Sequence, residues 1–209
     1  IKTDKVISIT VVEHSAEAEL YDVIGVEYIY IRCKTDTPFN KCLCMNVGAI
    51  HGTKSQHLLF HDSDLLVNRD FLNNIFKNIE NKNTMALQTF ADRRVLYCNK
   101  ELTQKMAAGL SADYLSPSAD GVYDKNKPGA PGGSIFLTRR LFFMVGGFDP
   151  ELFHSYSQED VFFWDKISIF AKIGSCDKPR NEVYHLDHEL QQFNNPQFKD
   201  MLARSEERF

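Results

Sequence analysis

Short β-branched and aromatic runs alternate along this chain with segments whose apolar residues recur at helical spacing, and that alternation constrains the fold more than any other feature. Residues 5–13 (KVISITVVE) and 26–32 (VEYIYIR) read as strands. Residues 40–51, which follow Pro38, place their apolar positions along a helix. Residues 57–60 form a short apolar strand, and 69–80 an amphipathic helix with Phe71, Leu72, Ile75, Phe76 and Ile79 on one side. Residues 84–90 and 94–98 read as strands, and 100–109 as a helix. The stretch 111–133, rich in Ser, Asp, Gly and Pro, reads as one long loop ending KNKPGAPGG; loops of that length in compact domains are usually functional or mobile. A strand at 134–137, a helix at 138–145 and a turn at Gly146 and Gly147 follow. Residues 158–173, with Trp164, read as a Phe-rich helix, 183–185 as a strand end, and 198–209 as a charged, exposed helix. Strands alternating with helices predict an α/β fold, a mixed and mostly parallel sheet flanked by helices, in a single domain over residues 1–209.

Length and composition agree with that reading. A chain of 209 residues with 43% hydrophobic and 25% charged residues suits one globular domain. Its net charge of −4 offers no basic field to a nucleic acid. No apolar run is long enough to cross a bilayer, and the first residues, IKTDKVISIT, lack a signal-peptide pattern. The expectation is a cytoplasmic enzyme, or a soluble piece of a larger one. The five cysteines (Cys33, Cys42, Cys44, Cys98 and Cys176) contain no CxxC, and their odd number predicts free thiols. Cys42 and Cys44 read as small apolar helix residues rather than a fragment of a metal site.

Residues 56–64, QHLLFHDSD, pose the chemical question, because an apolar strand ends there in two carboxylates. In open α/β sheets ligands bind beyond the carboxyl ends of the strands. If the chain stays extended, Asp62 and Asp64 point the same way. Two such carboxylates make a hard oxygen site for Mn²⁺ or Mg²⁺, ions that also take diphosphate oxygens. In the competing reading the stretch is a turn, with Asp62 capping residues 68–69 and Asp64 solvated. If the strand alternates, His61 faces away from Asp62 and has a structural or supporting role.

Further motifs stand in order along the chain. Residues 38–48 read PFNKCLCMNVG, 132–160 read GGSIFLTRRLFFMVGGFDPELFHSYSQED, and 183–189 read VYHLDHE. With the DxD between them, they resemble the GT-A glycosyltransferases of family 2 and of the β-1,4-galactosyltransferase type. The C-terminal half is also similar to the polypeptide N-acetylgalactosaminyltransferases. The resemblance runs from the first strand to roughly residue 200.

That resemblance implies a metal-dependent, inverting hexosyl- or N-acetylhexosaminyltransferase. Its donor would be a nucleotide-diphosphate sugar, with UDP the expected nucleotide, and its acceptor a glycan or polysaccharide. The metal would be Mn²⁺ or Mg²⁺. Carried over residue by residue, Asp64 is the metal ligand and Asp62 supports the ribose or the metal. Asp160 is the catalytic base and Glu159 orients the acceptor. His185 is the late metal-binding histidine, with His188 its competitor. Phe39, Asn40 and Lys41 lie near the nucleotide. Gly132 and Gly133 allow sugar to approach the backbone, and His154 or Tyr156 sets a ring against sugar or packs on the helix. The chemistry is coherent on its own terms: a base takes the acceptor proton, and a metal draws charge from the leaving diphosphate.

There are departures. Lys41 stands where the family has Arg, which keeps the charge and loses the two-pronged fork. The acidic motif reads SQED rather than GGED. VISITVVEHS is similar to the second strand of that fold, and a first strand and helix are expected to be missing. Alternatively VISITVVEHS takes the first strand's place, bringing Glu13 or His14 to the nucleotide. A non-catalytic glycan- or partner-binding module derived from such an enzyme is the alternative function.

Overall fold

A computed structural model describes residues 5–20, 24–52, 54–90, 92, 94–124, 132–176, 181–188, 200, 201, 203 and 204. Its centre is a four-stranded sheet of order β3-β8-β5-β9, built from β3 (His57–His61), β5 (Ala86–Gln88), β8 (Ser134–Thr138) and β9 (Ile173–Ser175). Alternation along these strands divides their side chains between two cores. Leu58, Phe60, Ala86, Ile135 and Leu137 face one, with helices α1 (Lys41–His51), α4 (Arg139–Met144) and α5 (Glu159–Phe170). Leu59, Leu87 and Phe136 face the other, against α2 (Phe71–Lys82). Burial on both faces explains why β3 and β8 read as continuous apolar runs instead of alternating ones. On the first face Phe60, Phe142, Phe148 and Phe163 interlock, with Phe148 and Phe163 stacked at 3.9 Å. Such ring pairs add about 0.5–1.5 kcal/mol each beyond the area they bury.

A second four-stranded sheet, of order β4-β10-β6-β7, holds β4 (Leu65–Leu66), β6 (Val95–Cys98), β7 (Val122–Asp124) and β10 (Val183–His185). Helix α3 (Lys100–Ala107) contributes Leu102 to its core. A two-stranded parallel sheet pairs β1 (Thr10–Ser15) with β2 (Glu27–Arg32), and α1 leans on it through Gly48, where a Cβ would stand 3.2 Å from Val12.

The fold class is the expected mixed α/β. Among the described strands three pairings are parallel and four antiparallel, because β8 runs against both its neighbours, β4 against β10 and β7 against β6.

Several boundaries differ from the sequence reading. The first strand starts at Thr10 rather than Lys5; Val6, Ile7 and Ile9 are exposed, and Ile9 touches β2 only through its carbonyl, which accepts from Glu27 N–H at 2.8 Å. The helix expected through residue 173 stops at Phe170; Ala171 turns extended and residues 173–175 pair in parallel with β5. Gly174 permits that, because a Cβ there would sit 2.9 Å from Leu87. The long loop 111–133 contains a short 3₁₀ turn (Ala112–Tyr114) and β7, which pairs with β6; residues 125–131 lie outside the described ones. Of the helix expected at 198–209 only four residues are described, and Met201 is fully buried in the main core, so that segment is not simply exposed. All five cysteines are free thiols.

Candidate active site

The turn after β3 organises the site. Residues 62–64 are not extended: Leu65 N–H donates to the Asp62 carbonyl at 3.2 Å, closing a tight turn into β4. The expectation that both carboxylates point the same way fails for that reason, and each meets its own set of partners. The turn is not the solvated one of the competing reading either. His61 pins it, with Nε2 3.1 Å from the Leu65 carbonyl and Nδ1 3.0 Å from the Ser134 hydroxyl. A carbonyl only accepts, so Nε2 carries the proton and Nδ1 accepts from Ser134. Burial lowers the pKa of this ring and keeps it neutral, the supporting role expected for it.

Asp62 belongs to a cluster around one cation. Lys41 Nζ lies 3.0 Å from Asp62, 3.2 Å from Asp160 and 3.7 Å from Glu159. The cluster is assembled by three elements. Asn40 caps α1 by accepting from Leu43 N–H and reaches the Pro150 carbonyl at 3.1 Å, fixing Lys41 at the first helical position. Glu159 and Asp160 open α5, where exposed N–H groups favour negative charge. The antiparallel register of β3 and β8, continued by Asp62 N–H donating to the Gly133 carbonyl at 2.8 Å, lays the glycine pair beside the turn. Gly132 is packed so closely on Asp160 that a Cβ would fall 1.7 Å from its carboxylate. Gly133 has φ +89°, and a Cβ there would meet Leu65 at 2.7 Å.

Electrostatics follow from burial. Burial alone would pull the Lys41 ammonium down, but Asp160, Asp62 and Glu159 outweigh it and hold it well above the ordinary lysine value. Burial pushes the Asp62 carboxyl up, while Lys41 pulls the other way. Glu159, with 4% of its side chain exposed, is raised by burial and then by the Asp160 charge to about 7. It also accepts from Ser157 N–H at 3.1 Å, ordering the segment that carries half-exposed Tyr156.

Asp64 meets a different set. Its carboxylate is 2.9 Å from His188 Nε2 and 3.5 Å from His185 Nε2. The sheet brings them together: β10 pairs antiparallel with β4, His185 opposite Leu65, and Leu186 N–H donates to the Asp64 carbonyl at 2.9 Å. The two imidazoles stack at 4.9 Å, and Tyr97 packs on His185 at 5.2 Å. One ligand atom from each of Asp64, His185 and His188 lies within 4.8 Å of the others. His185 Nδ1 donates to the Leu186 carbonyl at 2.6 Å, which turns Nε2 toward Asp64. A carboxylate with two imidazoles in such a space fits a borderline ion such as Mn²⁺ better than Mg²⁺.

The residues singled out from sequence therefore converge at one end of the molecule. Sequence reasoning placed Lys41 by the nucleotide and did not foresee that it gathers three carboxylates. It also set His185 and His188 in competition, whereas both flank Asp64. The i, i+3 spacing in VYHLDHE is the only local hint. Phe39 is half exposed, and its ring lies 6.2 Å from that of His14, whose Nδ1 faces Asn40 N–H at 3.4 Å. Glu13, on the other side of β1, is taken up by Tyr28, Ser15 and the N–H groups of Glu19 and Leu20.

A family model described as "Glycosyltransferase like family 2" matches residues 4–207. No curated protein sequence matches at a significant level. Solved structures similar to this chain include GalNAc-T7 with UDP, GalNAc and Mn²⁺, at TM-score 0.52 and 16% identity, over 88% of this chain and 36% of that one. The catalytic domain of Drosophila β1,4-galactosyltransferase 7 with xylobiose is similar at TM-score 0.50 and 14% identity, over 96% of this chain and 80% of that one. Staphylococcus aureus TarS 1–349 is similar at TM-score 0.48 and 15% identity, over 78% of this chain and 44% of that one. The chain thus spans less than half the length of two of these three. The shared fold is that of the GT-A glycosyltransferases.

Proposed function

The chain belongs to the glycosyltransferase-like family 2, and on that premise we propose that it transfers a hexosyl or N-acetylhexosaminyl group from a UDP-sugar to a hydroxyl of a glycan or polysaccharide, with inversion and with a divalent metal. The observation that carries this reading is the meeting, at one sheet end, of the Asp62–Asp64 turn, the acidic start of α5 and the His185–His188 pair. The solved structure with UDP and Mn²⁺ among its neighbours supports the choice of nucleotide and ion.

In this proposal Asp64, His185 and His188 hold Mn²⁺, which when bound supplies positive charge to the diphosphate of the donor. Asp160 accepts the acceptor's hydroxyl proton as that oxygen attacks the anomeric carbon from the side opposite the leaving group. Lys41 holds Asp160 and Asp62 at a fixed separation and offsets their repulsion. Glu159 orders the segment carrying Tyr156 on the acceptor side through Ser157. Asp62, Phe39, Asn40 and Gly133 border the donor.

The test is calorimetry with UDP, with and without Mn²⁺, alongside a transfer assay. Mn²⁺-dependent UDP binding is expected in the wild type and at least tenfold weaker binding in Asp64→Ala. Asp160→Asn should keep that binding and lose transfer by roughly 100-fold or more. A folded wild type that binds no nucleoside diphosphate in the presence of metal would sink the proposal and favour the non-catalytic binding module.

A further inference from the structure

One cavity lies away from the carboxylates, at the other end of the central sheet. It measures about 540 Å³ and is lined by Lys54, His57, Arg139, Arg140 and Phe143, with Ser55, Gln56, Met85 and Thr138 between them. His57 is the first residue of β3 and Thr138 the last of β8, paired in register. At about 3.3 Å per residue, the length of β3 separates this cavity from Asp62 by roughly 16 Å.

Its composition is unlike that of the chain. The protein carries a net charge of −4, yet among the described residues this lining has three cationic side chains and no carboxylate. The last carbonyls of α1 offset part of that charge, and an anion in the cavity would offset more. The framework is built rather than incidental. Arg139 donates to the Ala49 carbonyl at the end of α1 and lies 5.2 Å over the Phe143 ring, which restricts its guanidinium. Lys54 donates to the Ile50 carbonyl. His57 is wedged between Phe136, stacked at 5.4 Å, and Phe76, edge-on at 6.3 Å, and closes one wall. Arg140 is exposed at the rim. Two arginines and a lysine are the set that recognises phosphate, the guanidinium by its planar fork and the ammonium as a point charge. Half-exposed Phe143 adds apolar surface to the lining.

We propose that this cavity is a second binding site, for phosphate-bearing anions, separate from the carboxylate end. The phosphate comes either from a soluble phosphoanion or from a lipid headgroup, and the mixed cationic and apolar rim suits both. The site is independent of the metal cluster, so its test is run with chelator present.

Inorganic pyrophosphate is titrated calorimetrically into wild type, Lys54→Gln, Arg140→Gln and Asp64→Ala, and the same four proteins are sedimented with vesicles of phosphatidylglycerol and phosphatidylcholine. Lys54 and Arg140 are exposed, so their variants should fold, and thermal melts confirm it. Binding of either probe that falls fivefold or more in Lys54→Gln or Arg140→Gln, and is unchanged in Asp64→Ala, supports the proposal. Pyrophosphate binding identifies a soluble ligand, and vesicle binding alone a headgroup. No binding of either probe overturns it, as does binding that is indifferent to Lys54 and Arg140.

Discussion

Lys41 holds together groups that would otherwise repel. Three carboxylates within 3.7 Å of its Nζ could not share so small and half-buried a space without it. Glu159 records the tension, since burial and Asp160 raise it to about 7 despite the lysine. Its effect on stability has a definite sign. The unfolded chain releases this proton near 4.5, the folded chain near 7, so stability falls as pH rises between the two and the full penalty stands above 7. Glu159→Gln has no proton to lose. Its melting temperature relative to wild type should therefore be higher at pH 8 than at pH 5, by an amount corresponding to at most about 3 kcal/mol. Melts of both proteins at the two pH values decide it, and an identical difference at both would refute the account.

At the scale of elements, the site depends on how closely β8 and α5 approach. Gly132 and Gly133 look equivalent in sequence and differ in the structure. A methyl at 132 would stand 1.7 Å from the Asp160 carboxylate oxygen and 2.7 Å from its Cβ, so the side chain and the start of α5 must both give. Gly132→Ala should lower the melting temperature and, on the proposal that Asp160 is the base, cut transfer on the order of 100-fold, as a misplaced catalytic group does. Gly133 has a left-handed φ of +89° and packs on Leu65, so Gly133→Ala should cost about 1–3 kcal/mol of stability. Thermal melts beside a transfer assay measure both, and a folded Gly132→Ala that keeps full transfer would contradict the role proposed for Asp160. The same close packing explains a misread boundary. The apolar run 158–173 has no breaker in it, and only the open edge of β5 draws residues 173–175 out of a helix and into a strand.

For the whole molecule, charge is divided between the two ends of β3, the second sheet adding its histidines at the Asp62 end. The acidic and histidine-rich end suits a metal and a diphosphate, and the basic cavity suits an anion. A ligand that binds only the folded chain raises its melting temperature. Mn²⁺ at about 100 times its dissociation constant should add about 2.7 kcal/mol, or roughly 5–10 °C for a chain of this size. The shift should vanish in Asp64→Ala and shrink in His188→Ala, and scanning calorimetry with and without Mn²⁺ measures it; an equal shift in all three would place the metal elsewhere. Among the described residues no helix is long and apolar enough to cross a membrane. What the sequence determined by itself was local. The β-branched runs and helical spacing mark most elements, Asn40 and Pro38 mark the start of α1, and the ordered motifs from PFNK to VYHLDHE point to the carboxylates and the late histidine. What only the tertiary structure decided was which of these groups share a space. The separations |i−j| of 119 between Lys41 and Asp160 and 124 between Asp64 and His188 are closed by strand register and helix packing. No local propensity encodes such distances, because side chains that far apart in sequence meet only after both faces of the central sheet have been buried.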